Sequence, residues 1–237
     1  MVVTKIKHTR STNQNPKCDL PQAKRIVIVD DHPLFRKGLE QLINSEDSFA
    51  ICGEAGNAAE AMEVIRKLNP DLAIVDLSLP GANGIELIKN IRAEFSRLPV
   101  LVLSMHDESL YALRALRAGA EGYVMKHEAM ANVIHAIHEV FNGRPYLSPA
   151  MAAQVITKFA HRQAEGEADA VERLSDRELE VLELIGKGND VRQIAKALHL
   201  SPKTVETHRS HIKDKLDLKN SREVARFALQ WLSARNA

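Results

Sequence analysis

The sequence predicts a doubly wound α/β domain followed by a small all-helical domain, and three observations lead there. Between residues 25 and 142, five short β-rich runs alternate with longer segments of helical period. Those runs are apolar throughout instead of alternating, the mark of a parallel sheet covered on both faces by right-handed crossovers. From residue 172 onwards only helical periods remain, separated by tight turns.

The strands are expected at RIVIVD (25–30), FAICGEA (49–55), DLAIVD (71–76), LPVLVLS (98–104) and EGYVM (121–125). Between them Leu39, Leu42 and Ile43, then Ala61, Val64, Ile65 and Leu68, then Leu87, Ile88 and Ile91, then Leu113 and Leu116 recur at three- and four-residue steps. These are amphipathic helices. Asn57 followed by Glu60 predicts a capping box at the second. A fifth helix, from about Glu128 to Phe141, carries Val133, Ile134, Ile137 and Phe141 on one stripe. Residues 143–171 combine a proline-containing start, a short helical pattern and a polar small-residue stretch, and read as a linker.

In the last segment Ser175 and Glu178 form a capping box, with Leu174 and Leu179 as its hydrophobic staple. Ser201, with Pro202 at the first helical position and Leu200 opposite Val205, repeats the device. The short HL connection before Ser201 reads as the turn between two crossed helices, with Ala195 at their crossing.

At 237 residues and 45% apolar content the chain is long enough for two cored domains. Aromatics make up only 4%, which excludes broad stacking platforms for single-stranded nucleic acid. Cys18 and Cys52 lie far apart without metal-type spacing, as expected in a reducing cytosol. Neither signal-peptide core nor membrane-length apolar run occurs, so a cytoplasmic location is expected, with no membrane partner. Residues 1–24 carry a net charge of +4 and are expected to be a disordered polar tail. Residues 25–142 carry −6 and residues 172–237 carry +3. An acidic middle and a basic end suit different partners, a cation first and a polyanion second.

Ligands of an open parallel sheet bind outside the carboxyl ends of the strands. There the sequence sets Asp30 and Asp31 after the first strand, Asp76 after the third, Ser104 at the end of the fourth and Lys126 after the fifth. Three carboxylates about 5 Å apart repel by roughly 3 kcal/mol per pair at an effective dielectric near 20, so they require a counter-charge. An all-oxygen donor set with few carboxylates favours Mg²⁺, which recruits phosphate oxygens. Beside it a carboxylate serves as nucleophile and becomes an aspartyl phosphate. A buried strand therefore ends on Asp76 because that residue reacts.

IVIVDDHPLFRKGL, DLAIVDLSLPGANGIEL, VLVLSMHDE and AGAEGYVMK resemble the phosphorylation-site segments of response-regulator receiver domains, over nearly all of residues 25–142. The resemblance implies a flavodoxin-like fold, Asp76 as phospho-acceptor and Mg²⁺ held by Asp30, Asp31, Asp76 and the main-chain carbonyl of Ser78. It also implies Ser104 and Tyr123 as a switch pair and Lys126 as the phosphate-contacting cation. LSDRELEVLELIGKGNDVRQIAKALHLSPKTVETHRSHIKDKL resembles the LuxR/NarL-type helix-turn-helix, and the match extends to about Leu232.

On the residues themselves, Val205, Ile212 and Leu216, with His208 between, line one side of the helix from Ser201 to Leu216. Its other side mixes cations with short hydrogen-bonding groups, as in a helix laid in the major groove of DNA. The resemblance sets Glu206, Thr207 and Ser210 nearest the bases and Lys203, Thr204, Arg209 and Lys213 nearest the phosphates, with His208 either packing or touching DNA. The final helix repeats Val224, Ala228, Trp231 and Leu232.

The expected protein is thus a transcriptional response regulator and not an enzyme. A sensor histidine kinase phosphorylates it, it binds double-stranded promoter DNA as a homodimer, and RNA polymerase is a further candidate partner. Two other readings are a DNA-binding regulator governed without phosphorylation and an Asp-nucleophile phosphatase. The second wants an acid two residues after Asp76, where Ser78 stands.

Overall fold

The inner strands LAIV (72–75) and VLVLS (100–104) are almost wholly apolar and buried on both faces. In the computed structural model, which describes residues 23–160 and 170–235, β1 (Lys24–Val29), β2 (Phe49–Ala55), β3 (Leu72–Val75), β6 (Val100–Ser104) and β7 (Gly122–Met125) form one parallel sheet. Its order is β2-β1-β3-β6-β7, so the strand order reverses beside β1. The expected residues 1–22 of the basic tail lie outside the described residues.

Alternate side chains serve opposite cores. Ile26, Ile28, Leu72, Ile74, Leu101 and Leu103 pack against α1 (Pro33–Ser45) and α5 (Ala129–Phe141). Val27, Val29, Ala73, Val75, Val100 and Val102 face α2 (Ala58–Leu68), α3 (Gly84–Glu94) and α4 (Glu108–Ala118). Each fully buried isoleucine or valine contributes about 2 kcal/mol by leaving water.

Two local features differ from the sequence reading. The Asn57 side chain accepts the Glu60 N–H as expected, but the Glu60 carboxylate reaches past Asn57 to the Gly56 N–H at 2.8 Å. After β3, a two-residue pair, β4 (Ser78–Leu79) and β5 (Ala82–Asn83), closes over a turn in which Gly81 has φ +73°. Pro80 and Gly81 of the apolar run therefore make a small hairpin beside Asp76.

The segment read as a linker holds α6 (Pro149–Ala160). Beyond it lie α7 (Asp176–Gly186), α8 (Val191–Ala197), α9 (Pro202–Lys215) and α10 (Ser221–Arg235). Ser175 and Glu178 make the expected capping box, and Ser201 accepts the Thr204 N–H at 3.0 Å. A further capping box, Asp190 with Gln193, starts α8. Val205, Ile212, Val224, Ala228, Ile194 and Leu182 close this core, and it is continuous with the α2/α3/α4 side of the sheet. Among the described residues no helix is long and apolar enough to cross a membrane.

Candidate functional site

The carboxyl ends of β1, β3, β6 and β7 bring Asp30, Asp31, Asp76, Ser104 and Lys126 to one rim. Asp76 follows β3 and is still held by the ladder, its N–H donating to Val29 C=O at 2.8 Å. Its carboxylate is 1% exposed and Asp30, Ser104 and Lys126 are buried with it. Lys126 Nζ lies 2.7 Å from Asp76 Oδ2 and 2.6 Å from Asp30 Oδ2, and sits over the Phe35 ring. The other Asp76 oxygen accepts the Ser78 N–H at 3.2 Å.

Gly84 lets the chain approach this close. A Cβ there would meet the Asp76 carbonyl oxygen and Leu77 Cα, each at 2.4 Å.

Burial is the largest influence on Asp76 and raises its carboxyl above the ordinary range, against the opposing pull of Lys126. On Lys126 burial works downward, but Asp76 and Asp30 outweigh it and the ammonium is raised. One ammonium between two carboxylates leaves the cluster net negative. Ligand atoms of Asp30, Asp31, His32 and Asp76 lie within 4.8 Å of one another. Asp31 Oδ1 is enclosed without an aligned hydrogen bond, although His32 Nδ1 lies 2.7 Å away. This carboxylate-dominated set fits a hard divalent cation such as Mg²⁺.

Ser104 Oγ accepts the His106 N–H at 3.1 Å. Tyr123 is fully inside, its hydroxyl donating to the His106 carbonyl at 2.8 Å, and burial raises its phenol above the ordinary value. The expected switch pair therefore meets at the backbone of one residue, His106.

On α9, Lys203, Glu206, Thr207 and Ser210 are exposed, while Thr204, His208, Arg209 and Lys213 are half-buried. Arg209 pairs with Glu206 at 2.9 Å and Lys213 with Asp214 at 3.2 Å. His208 turns inward towards α7. Burial first, then Arg177, lowers its imidazole below the ordinary pKa.

Residues 26–138 match the response regulator receiver domain, and residues 172–228 match the luxR family of bacterial regulatory proteins. The oxygen regulatory protein NreC of Staphylococcus carnosus is 36% identical over 210 residues, covering 87% of this chain and 97% of that protein. The chain belongs to the LuxR-family two-component response regulators. A LuxR-family response regulator from Aurantimonas sp. is 38% identical with a TM-score of 0.55, over 58% of this chain and 99% of its own. RcsB from Salmonella enterica serovar Typhimurium, bound to promoter DNA in the presence of the phosphomimetic BeF3-, is 27% identical with a TM-score of 0.58, over 87% and 98% of the two chains. A receiver domain and a luxR-family domain thus stand together in this chain.

In this response regulator the two domains touch through residues that the sequence did not single out. His106 Nε2 lies 3.0 Å from Ser78 Oγ beside the pocket, and its Nδ1 lies 3.5 Å from Glu183 Oε2 on α7. Tyr111 of α4 donates its hydroxyl to the same Glu183 oxygen at 3.1 Å, and Asn83 Nδ2 donates to Glu180 Oε1 at 2.7 Å. Arg114 donates to the carbonyls of Leu174 and Val171 and to Asp176 Oδ1.

Glu180 and Glu183 are buried carboxylates. Burial raises Glu180 against the pull of Arg177, whereas for Glu183 burial is outweighed by His106 and Lys187, which hold its carboxyl down at about 2. The only sequence trace of this contact is the i,i+3 pair Glu180 and Glu183 within an apolar helix, which reads equally well as a solvated face.

Proposed function

We propose that Asp76 receives the phosphoryl group of a sensor histidine kinase and that the gain of charge loosens the α4–α7 contact, freeing the helix-turn-helix for promoter DNA. In the transfer an Asp76 carboxylate oxygen supplies an electron pair to phosphorus, the P–N bond of the phosphohistidine breaks, and the imidazole leaves. Asp30, Asp31, Asp76 and the Ser78 carbonyl would hold Mg²⁺, which when bound neutralises phosphoryl oxygens in the pocket. Lys126 orients those oxygens and Ser104 donates its hydroxyl to one of them. The observation that carries the reading is an enclosed Asp76 between a lysine ammonium and two further carboxylates.

The signal then follows the hydrogen bonds around His106. The phosphoryl group adds up to about two negative charges and three strong acceptors. Ser104, drawn to it, abandons the His106 N–H. His106 is tied at the same time to Tyr123, Ser78 and Glu183, so its backbone moves with the α7 contact. The new anion also repels Glu183 and Glu180. A coupling of about 1–3 kcal/mol is enough to shift such a balance.

Freed α9 would read bases with Glu206, Thr207 and Ser210 and hold phosphates with Lys203, Thr204, Arg209 and Lys213. Paired copies would read two half-sites. On this reading the chain regulates transcription in the cytoplasm and does not turn over a substrate. Incubation with a small-molecule phosphodonor and Mg²⁺, followed by intact mass, tests it. The wild type gains one phosphoryl group and Asp76→Asn gains none; equal labelling of both, or of neither, rejects the mechanism.

A further inference from the structure

A second group of ligating side chains lies outside the acidic pocket, between α7 and α9. A carboxylate oxygen of Glu178 and one ring nitrogen each of His208 and His211 all lie within 4.8 Å of one another. The histidines stand three apart on α9 and so share one flank of the helix. Two imidazoles and one carboxylate are the donor set of a borderline transition metal, with a fourth position left for water.

Three observations make this more than a chance meeting. Glu178 spends only one oxygen on the protein: Oε2 accepts both the Ser175 N–H and Lys215 Nζ, each at 2.7 Å. Its Oε1 instead faces His211 Nδ1 at 3.5 Å, too long for a good hydrogen bond. Donors on the outer oxygen are what orient a ligating carboxylate. Secondly, His208 Nδ1 is buried without a hydrogen-bond partner. Thirdly, Arg177, the neighbour of Glu178 in sequence, is engaged elsewhere, with Glu180 at 2.6 Å and the Leu198 carbonyl at 2.6 Å.

We propose that Glu178, His208 and His211 form a Zn²⁺-class metal site that pins the recognition helix to α7. Ligand atoms on one tetrahedral Zn²⁺ stand about 3.4 Å apart, given bonds of about 2.0–2.1 Å. Glu178 Oε1 and His211 Nδ1, 3.5 Å apart, already stand near that spacing, and the 4.8 Å limit on the group leaves at most about 1.4 Å to close. His211, whose side chain is 55% exposed, is free to supply that movement. The metal would lie on the flank of α9, leaving Glu206, Thr207 and Ser210 facing outward, so it braces the helix without occupying the surface that meets DNA.

The test uses the full chain and Co²⁺ as a spectroscopic stand-in for Zn²⁺, with Asp31→Asn controlling for binding in the acidic pocket. Wild type and Asp31→Asn should both develop visible bands of a tetrahedral histidine-ligated Co²⁺, and Zn²⁺ should displace them. His211→Ala, which removes an exposed ring, should lose affinity at least about tenfold. His208→Gln should do the same. A thermal midpoint raised by Zn²⁺ in wild type and unmoved in His211→Ala would support the site independently. Equal Co²⁺ spectra in wild type and His211→Ala, or bands lost in Asp31→Asn alone, would overturn it.

Discussion

The acidic pocket and the carboxylate row of α7 both bury negative charge, yet they neutralise it differently. In the pocket Asp30 and Asp76 share Lys126, and all three belong to the receiver. On α7, Glu183 depends on His106 and Tyr111 from the other domain as well as on Lys187 at the end of its own helix. The first arrangement is made entirely within one domain. The second exists only while they touch, so any event that unsettles His106 changes the free energy of the contact. On the function proposed above, buried charge acts as structure in one place and as a latch in the other.

Predictions that sharpen this contrast begin with Lys126. Its replacement by alanine leaves Asp30 and Asp76 buried without a counter-charge, and urea unfolding should show a loss of about 3 kcal/mol. The same substitution takes a positive charge out of the pocket, so the folded, unphosphorylated chain should bind duplex DNA more tightly than wild type. Unchanged stability would mean that Lys126 is not what neutralises the two carboxylates.

The next effect concerns pH. Glu183 is held at about 2 in the folded chain against an ordinary 4.5. A depressed carboxyl contributes stability above its unfolded pKa and loses it as pH falls through the folded one. Wild type should therefore exceed Glu183→Gln by about 2 kcal/mol at neutral pH, after allowance for partial solvent contact. The difference should close as pH drops from about 4.5 towards about 2. Urea titrations at several pH values would reveal a constant gap if the contact were unimportant.

Glu183→Gln should also loosen the latch. Losing a charged hydrogen-bond acceptor costs about 1.5 kcal/mol, so the unphosphorylated full chain should bind duplex DNA about tenfold more tightly. Tyr111→Phe should act in the same direction and less. Unchanged affinity in both would place the restraint elsewhere.

The smallest effect is at the exposed end of α9. Lys203→Ala should lower the slope of log affinity against log salt by about 1, with little dependence on DNA sequence. A sequence-selective loss would make Lys203 a base reader.

Much of the fold was legible in residue order. The five central strands begin and end within two residues of the apolar runs, because a doubly covered sheet demands uninterrupted apolar stretches. The capping signals at Ser175 and Ser201 were equally plain, since they are local chemistry. Asp190 with Gln193 carried the same signal and could have been read. The rim bearing Asp30, Asp31, Asp76, Ser104 and Lys126 was visible because parallel strands all end on one side.

The contact between domains was not visible. His106, Tyr111 and Glu183 are separated by long stretches of chain, and no period relates them. Buried glutamates on α7 look in sequence like an ordinary polar face, and only the opposing domain makes them buried. The inward turn of His208 was likewise undecidable, because helical spacing gives its side of α9 but not its neighbour across the gap.

The claim on which the account rests is that negative charge gained at Asp76 separates α4 from α7. Spin labels on cysteines introduced at Arg117 and Arg192, with Cys18 and Cys52 changed to serine, would report the distance between the domains. With Mg²⁺ and beryllofluoride the distance distribution should lengthen in the otherwise native chain and stay fixed in Asp76→Asn. A distribution that does not move, or that moves equally in both, would contradict the account.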